Sequence, residues 1–260
     1  MRFSTSDRHR ILESITDIAD QAGELILEIY RTDFNVRKKL DNSPVTEADE
    51  RAEAFILPAL RQLLPGVPAI GEESVSQNRE ENIQGNTFWL VDPVDGTKEF
   101  LRRSGEFTVN IALIENKQPI LGVVAAPAKK TSYRAHGKYT TERRQNNSPW
   151  KRINARKVPL AGAVIVSSRS HGNQKEIDSL LNGLKVQQQK TAGSSLKFCM
   201  VAEGEADIYP RYGPTSEWDT AAGHAILFGA GGTVNVLGGK KLLYGKKSWK
   251  NPEFIARGLT

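Results

Sequence analysis

The spacing of apolar residues changes abruptly along this chain of 260 residues, and that change limits its fold more than any other feature. Residues 7–31 carry apolar side chains three and four positions apart, which is the spacing of an amphipathic helix. From residue 87 onward the apolar runs are short and rich in β-favouring residues, as in 87–91, 106–114 and 119–126. Helices interspersed with consecutive short strands predict a layered α/β (α+β) protein with mixed sheets.

Local signals predict where several elements begin and end. Thr46 and Asp49 form a capping-box pattern that starts a second helix, and Pro58 is expected to kink or end that helix. The strand at 87–91 is expected to stop at Asp92-Pro93, where a turn signal follows it. The four residues 115–118 are expected to join the next two strands in a hairpin.

The second half of the chain predicts further elements of both kinds. We expect a strand at 163–166, a helix around 173–184, a helix capped by Ser194 or Ser195, and a helix capped by Asp219. Further strands are expected at 133–139, 206–209 and 233–236. We interpret the chain as a single unit with two lobes, about 1–155 and about 156–260.

The N-terminus and the cysteine content exclude some classes of protein. The basic residues of the N-terminus are not followed by an uninterrupted apolar stretch, so we expect no secretory signal and a cytoplasmic location. No apolar run has the length that crossing a bilayer requires. The one cysteine, Cys199, lies in a stretch with helical apolar spacing and is interpreted as a buried structural thiol.

The net charge of +6 is concentrated in one segment. Residues 129–157 hold ten Lys or Arg and one acid, Glu142. We interpret this segment as a solvated hairpin and loop, and attraction of an anionic substrate is a second hypothesis. No aromatic platform accompanies the charges, so no stable nucleic-acid partner is expected, whereas peripheral contact with the cytoplasmic face of the inner membrane stays open. The oligomeric state also stays open.

Acidic residues stand at the predicted ends of strands and starts of helices. Such positions can converge at one edge of a sheet, which is where sites in α/β proteins usually lie. The acids in question are Asp49, Glu72, Glu73, Asp92, Asp95 and Asp219.

The hexapeptide from Asp92 to Thr97 carries the strongest chemical signal. Its two carboxylates, three positions apart around a proline, would repel each other unless cations were present. Oxygen ligands without a histidine or cysteine cluster favour Mg²⁺ or Mn²⁺ over zinc. Asp-Pro and Asp-Gly pairs are also common in ordinary turns, so the spacing alone leaves a metal site and a structural turn equally open.

Three strings in this order resemble the signatures of the inositol monophosphatase superfamily, whose members are lithium-sensitive, magnesium-dependent phosphatases. They are GEES at 71–74, WLVDPVDGTKEF at 89–100 and WDTAAGHAI at 218–226. Within the superfamily the chain is most similar to the CysQ-type 3′(2′),5′-bisphosphate nucleotidases. That likeness rests on the segments 41–49, 98–114, 193–215 and 218–225. Lys98-Glu99 stands where inositol phosphatases typically have a Thr-Asn pair.

The resemblance implies a layered α/β/α/β/α sandwich and a set of metal ligands. Glu72, Asp92 and the carbonyl of Val94 would hold one Mg²⁺. Asp92, Asp95 and Asp219 would hold a second, and a third, looser ion would use Glu72.

The resemblance also implies catalytic and substrate-binding roles. Thr97 and Asp49 would orient and deprotonate the attacking water, and the backbone of Gly96 and Thr97 would hold the phosphate. The candidates for the nucleotide part are Ser170, His171, Ser194, Lys197 and Arg211.

The implied reaction is hydrolysis of adenosine 3′,5′-bisphosphate to AMP and phosphate, in the setting of sulfate assimilation. A second implied substrate is 3′-phosphoadenylyl sulfate. Two alternatives stay open: a phosphatase of inositol or other sugar phosphates, and a non-enzymatic protein that binds nucleic acid or anionic membrane through residues 129–157.

Overall fold

The computed structural model describes residues 3–33, 36–38, 44–79, 82–83, 85–168 and 183–259. Its helices within these ranges are α1 (Thr5–Tyr30), α2 (Glu47–Leu63), α3 (Glu72–Ser76), α4 (Thr97–Leu101), α5 (Leu196–Ala202) and α6 (Trp218–Gly229), with a 3-10 turn at Pro127–Lys129. Its strands up to residue 152 are β1 (Val36–Lys38), β2 (Pro44–Thr46), β3 (Ala69–Gly71), β4 (Thr87–Asp95), β5 (Thr108–Glu115), β6 (Gln118–Ala126), β7 (Thr131–Ala135), β8 (Glu142–Gln145) and β9 (Lys151–Arg152). The later strands are β10 (Ala163–Ser167), β11 (Val186–Thr191), β12 (Ile208–Arg211), β13 (Thr233–Val236) and β14 (Phe254–Arg257).

Two larger sheets organise the described part of the chain. One sheet runs in the order β3-β4-β5-β6-β7-β8-β9, with β3 and β4 parallel and the other pairs antiparallel. The other runs β11-β10-β12-β14-β13 and mixes parallel with antiparallel pairs. The mixed sheets predicted from the sequence are therefore confirmed.

Helices and sheets alternate in layers, as the sequence predicted. The apolar faces of α1 and α2 pack on one face of the β3–β9 sheet, in a core that includes Ile15, Ile56 and Trp89. Helices α5 and α6 pack between the opposite face of that sheet and the second sheet, in a core that includes Phe198 and Ile226. The helix predicted around 173–184 falls almost entirely outside the described residues.

The two N-terminal helices both begin at capping boxes, and the second of these was predicted. Helix α1 starts after Ser4, whose side chain forms a capping box with Asp7. Helix α2 starts after Thr46, which forms the expected capping box with Asp49. Because Asp49 is held in this way, the helix start fixes a carboxylate that the sequence also marks as functional.

Pro58 was expected to kink or end helix α2, and it does not end it. The helix runs through Pro58 to Leu63. Pro58 lies on the exposed side, so the carbonyl one turn earlier can bind water, while Ile56 and Leu60 on the opposite side are fully buried. Burial of the apolar face offsets the missing hydrogen bond.

The prediction that the strand after residue 87 stops at Asp92-Pro93 is also wrong. Strand β4 continues to Asp95, and its pairing with β5 shifts register between Asp92, opposite Asn110, and Asp95, opposite Thr108. Three steps on β4 face two steps on β5, which is a β-bulge. The bulge bends the chain between Asp92 and Asp95, beside the site described below.

The predicted hairpin after β5 and the predicted cap at Ser195 are confirmed, whereas the prediction that Asp219 caps a helix is wrong. The hairpin between β5 and β6 turns over two residues, Asn116 and Lys117, which both have positive φ angles of 50° and 63°. Ser195 caps α5 without a side-chain bond. Asp219 lies in the first turn of α6, and the cap is Glu217.

Candidate metal and substrate site

Acidic side chains from three distant segments converge at one end of the β3–β9 sheet. Glu72 lies in the first turn of α3, Asp92 lies on β4, and Asp219 lies in the first turn of α6. One carboxylate oxygen of each residue lies within 4.8 Å of the others. Asp95, past the bulge, lines the same cavity of about 240 Å³ as these three acids.

The electrostatics of this cluster indicate a cation site. Burial, together with the charges of Asp95 and Glu72, raises the pKa of Asp219 to about 7. Burial also raises the pKa of Asp95, against the opposing effects of Lys197 and of hydrogen bonds from Ser195 and Asn110. Clustered carboxylates that resist ionisation are stabilised by divalent cations, and all of their donor atoms are oxygen, as Mg²⁺ prefers.

Local contacts hold the ligand candidates in place. The amide of Val94 donates to Asp92 Oδ1 over 3.1 Å, and the amide of Ser216 donates to Asp219 Oδ2 over 2.8 Å. The Val94 carbonyl lies 3.3 Å from Thr97 Oγ1. The bulge in β4 therefore brings Val94 to the same cavity as the carboxylates.

Glu53 holds the turn that carries Glu72, a role that no local sequence signal indicates. Its carboxylate is buried and accepts hydrogen bonds from the amides of Glu73 and Ser74, over 2.8 and 2.7 Å, and from Ser74 Oγ over 2.6 Å. A Cβ on Gly71 would lie 2.3 Å from Glu53 Oε2, so a larger residue there would displace the Glu53 carboxylate. Glu72 is thus flanked on both sides by residues that contact Glu53.

A hydroxyl and a carboxylate meet beside the acidic cluster. Thr97 Oγ1 lies 3.3 Å from Asp49 Oδ1. The other oxygen of Asp49, Oδ2, accepts from the amide of Thr46 over 2.8 Å and from its hydroxyl over 2.6 Å. The capping box therefore orients Asp49 so that Oδ1 faces Thr97.

Gly96 occupies the corner between β4 and α4. Its φ of 92° is in the region that favours glycine, and a Cβ there would lie 3.1 Å from the carbonyl oxygen of Glu106. Gly96 and Thr97 line the same cavity as the carboxylates, where the resemblance places the phosphate.

A second cavity, of about 130 Å³, adjoins the first. The residues that line both are Asp95, Gly96, Lys98, Glu99 and Asp219. Three of the predicted nucleotide contacts, Ser194, Lys197 and Arg211, line the second cavity. The other two, Ser170 and His171, lie outside the described residues.

Two basic side chains of the second cavity are held by backbone oxygens. Lys197 is 4% exposed, and its ammonium donates to the carbonyl of Ser194 over 2.6 Å. Burial lowers the pKa of Lys197 to about 8. Arg211 donates to Ser168 Oγ and to the carbonyls of Gly213 and Pro214. Both cations are therefore pre-oriented in the wall of the cavity.

A larger cleft of about 630 Å³ lies away from the acidic cluster, beside Tyr133. Its lining includes three cations, and each of them pairs with an acid that also lines it. The pairs are Lys129 with Glu106 at 3.7 Å, Arg143 with Glu203 at 3.2 Å and Lys190 with Glu205 at 2.8 Å. The cleft thus lacks the concentrated charge that recognition of a phosphate requires.

Ion pairs also compensate the basic segment 129–157. At least six of its ten Lys or Arg side chains pair with acids, among them Arg134 with Glu13 at 2.8 Å and Arg156 with Asp207 at 2.8 Å. Most of these acids lie far away in the sequence. The net charge counted within residues 129–157 is therefore larger than the net charge of the surface that these residues form. None of the described helices combines the length and apolarity that a membrane span needs.

Cys199 is buried and forms no disulfide, as predicted. Burial raises the pKa of its thiol well above the ordinary value, so the thiolate is disfavoured. The interpretation of Cys199 as a structural thiol agrees with this environment.

Comparisons of this chain with a family model, with known sequences and with solved structures all point to the same family. The sequence pattern of the inositol monophosphatase family matches residues 7–256. The 3′(2′),5′-bisphosphate nucleotidase CysQ of Salmonella typhimurium is 46% identical over 250 residues, covering 94% of this chain and 98% of that protein. The structure of CysQ from Bacteroides thetaiotaomicron, a bacterial member of the inositol monophosphatase family, is similar with a TM-score of 0.79 and 36% identity, covering 96% and 98% of the two chains. An inositol monophosphatase from Anabaena is similar with a TM-score of 0.75 and 25% identity, covering 96% and 91%.

Proposed function

This protein belongs to the inositol monophosphatase family, and we propose that it is a metal-dependent 3′(2′),5′-bisphosphate nucleotidase. Its proposed reaction is hydrolysis of adenosine 3′,5′-bisphosphate to AMP and phosphate, with 3′-phosphoadenylyl sulfate as a second substrate. The observation that carries the proposal is the pair of adjoining cavities, one lined by carboxylates and the other by Lys197 and Arg211. The 46% identity to a CysQ nucleotidase supports the same substrate class.

The acidic cavity would hold Mg²⁺, and its residues fit such ions in charge and in atom type. We assign Glu72, Asp92 and the carbonyl of Val94 to one ion, Asp92, Asp95 and Asp219 to a second, and Glu72 to a third. When bound, Mg²⁺ lowers the pKa of water and neutralises charge on a phosphate.

Thr97 and Asp49 would prepare the attacking water. Thr97 Oγ1 would accept a hydrogen bond from the water while its own proton is directed to Asp49 Oδ1, 3.3 Å away. A P–O bond would form to the water oxygen as the bond from phosphorus to the 3′ oxygen breaks, and the 3′ oxygen would take a proton from solvent to give the hydroxyl of AMP. The water proton passes through Thr97 to Asp49, and the backbone at Gly96 would hold the phosphate.

The second cavity would select the nucleotide. Lys197 and Arg211 supply positive charge for a 5′-phosphate, and Ser194 supplies a hydroxyl at the boundary with the acidic cavity. An inositol phosphate has no second phosphate or base for these groups to contact. The Lys98-Glu99 pair, which lines both cavities, would further distinguish the two substrate classes.

A comparison of two substrates tests this proposal. Phosphate release is measured from adenosine 3′,5′-bisphosphate and from inositol 1-phosphate, each with Mg²⁺ and with EDTA. We expect chelator-sensitive release that strongly favours the nucleotide. Release mainly from inositol 1-phosphate would retain the metal chemistry and overturn the substrate. Absence of release from both would favour the non-enzymatic alternative.

A further inference from the structure

Ser195 joins two of the acids in the cluster to the wall of the substrate cavity. Its side chain is buried, with 1% of the residue exposed. Its amide donates to Asp95 Oδ2 over 2.6 Å, and its hydroxyl donates to the backbone carbonyl of Asp219 over 2.9 Å. One serine therefore contacts a carboxylate on β4 and the first turn of α6.

An asparagine on β5 reinforces this junction. Asn110 Nδ2 donates to Asp95 Oδ2 over 3.2 Å and to Ser195 Oγ over 2.9 Å. Thr108 Oγ1 donates to Asn110 Oδ1 over 3.0 Å, so the amide nitrogen must face Asp95 and Ser195. The network leaves little freedom for Ser195 to move independently of Asp95.

The residues just before Ser195 are equally constrained, and they line the substrate cavity. Gly193 donates its amide to Glu106 Oε2 over 3.0 Å, and a Cβ on Gly193 would lie 2.7 Å from both the Glu106 carbonyl oxygen and Glu99 Cγ. Ser194 has a φ of 49°, which is unusual for a residue other than glycine. The Ser194 carbonyl accepts from the buried ammonium of Lys197 over 2.6 Å. The segment 193–197 is thus a rigid unit that lies between the second cavity and the acidic cluster.

We propose that Ser195 is a positioning residue that couples metal binding to nucleotide binding. The inference rests on the proposed function, because it takes the second cavity to be the nucleotide site. Asp95 and Asp219 would be fixed in position when they hold cations, and Ser195, which contacts both residues, would then fix the cavity wall at Ser194. Because the segment 193–197 moves as one unit, a ligand that fixes its position at one end lowers the cost of binding at the other end, and the effect is reciprocal.

The test measures binding and needs no turnover. Mn²⁺, which also prefers oxygen ligands, is titrated into metal-free protein and free Mn²⁺ is followed by electron paramagnetic resonance. The titration is repeated with saturating AMP, which carries the nucleotide but no 3′-phosphate. We expect AMP to tighten Mn²⁺ binding by about 5-fold or more in the unaltered protein, as is typical of coupled sites.

Ser195→Ala keeps the amide that contacts Asp95 and removes the hydroxyl that contacts Asp219 and Asn110. We expect the effect of AMP on Mn²⁺ affinity to fall to about 2-fold or less in this variant. The matched control is Ser132→Ala on β7. It also removes a buried serine hydroxyl, which donates to Asp20 Oδ1 over 3.2 Å. Coupling in the control should equal that of the unaltered protein, while thermal unfolding reports any general loss of stability.

Three further outcomes are informative. Unchanged coupling in a folded Ser195→Ala protein overturns the inference and leaves the proposed function intact. If Ser195→Ala does not fold, the same titrations are made with Thr108→Val. This variant removes the hydrogen bond that orients the Asn110 amide and should reduce the effect of AMP on Mn²⁺ affinity. An unchanged effect of AMP in Thr108→Val overturns the inference. If AMP does not bind the unaltered protein, the proposed function fails and the inference fails with it.

Discussion

Thr97 Oγ1 lies 3.3 Å from Asp49 Oδ1, although 48 positions separate the two residues in the sequence. Asp49 is 2% exposed and is fixed by the capping box at the start of α2, whereas Thr97 begins α4 after the bulge in β4. Two independent local structures therefore set one hydroxyl–carboxylate pair at the rim of an acidic cavity. That arrangement is suited to moving a proton away from an attacking water.

Replacing Thr97 by valine removes the hydroxyl and keeps the shape of the side chain. We expect kcat for adenosine 3′,5′-bisphosphate to fall by about 10²-fold or more, the usual size of a lost proton-transfer group. Mn²⁺ affinity and the melting temperature should change little. Thr97→Ser is the control and should retain most of the activity; equal rates for Thr97→Val and the unaltered protein would remove Thr97 from the mechanism.

Asp219 should make the stability of the metal-free protein depend on pH. Its pKa is raised from 3.8 to about 7 in the folded protein, so the folded state binds more protons than the unfolded state between those values. The stability contributed by Asp219 is therefore present below about pH 4 and is lost as the pH rises through 7.

Other groups titrate in the same range, so the test is a comparison of two proteins. Burial lowers the pKa of His224 to about 3, and its contribution has the opposite sign because the unfolded state binds the extra proton. Asp219→Asn imitates the protonated acid and leaves His224 unchanged. Without metal, we expect its melting temperature to exceed that of the unaltered protein increasingly from pH 4 to pH 8. A difference independent of pH would contradict the assignment.

Glu53→Gln should weaken metal binding through Glu72. The glutamine amide would place a donor against the amide of Glu73 or Ser74, both of which now donate to the carboxylate. We expect Mn²⁺ affinity to fall by about 10–100-fold, as is common when a group supporting a metal ligand is lost. Glu47→Gln, on the exposed first turn of the same helix, is the control and should bind Mn²⁺ normally. Unchanged affinity for Glu53→Gln would show that Glu72 does not depend on Glu53.

The sequence predicted those features that are encoded by neighbouring residues. Helix α1, the capping box at Thr46 and the strand β10 all follow from spacing or from a cap within a few positions. The acidic hexapeptide and its likeness to a known family also predicted which carboxylates would converge, and Glu72, Asp92 and Asp219 do converge.

The features that the sequence did not predict depend on contacts between distant residues. Glu53 contacts an amide 20 positions away, and Asn110 contacts a serine hydroxyl 85 positions away, so neither has a local signal. The extension of α2 past Pro58 depends on burial of Ile56 and Leu60 against the sheet. Helix propensity alone favours a break at proline, and tertiary packing overrides that preference in α2.

The proposed metal centre is tested most directly at Asp95. Phosphate release from adenosine 3′,5′-bisphosphate is measured at saturating Mg²⁺ for the unaltered protein and for Asp95→Asn, with thermal unfolding as the check of folding. Asparagine keeps an oxygen that can accept from Ser195 and loses the charge that a cation requires. We predict a folded Asp95→Asn protein without measurable release; release at the unaltered rate would contradict the assignment of Asp95 as a metal ligand.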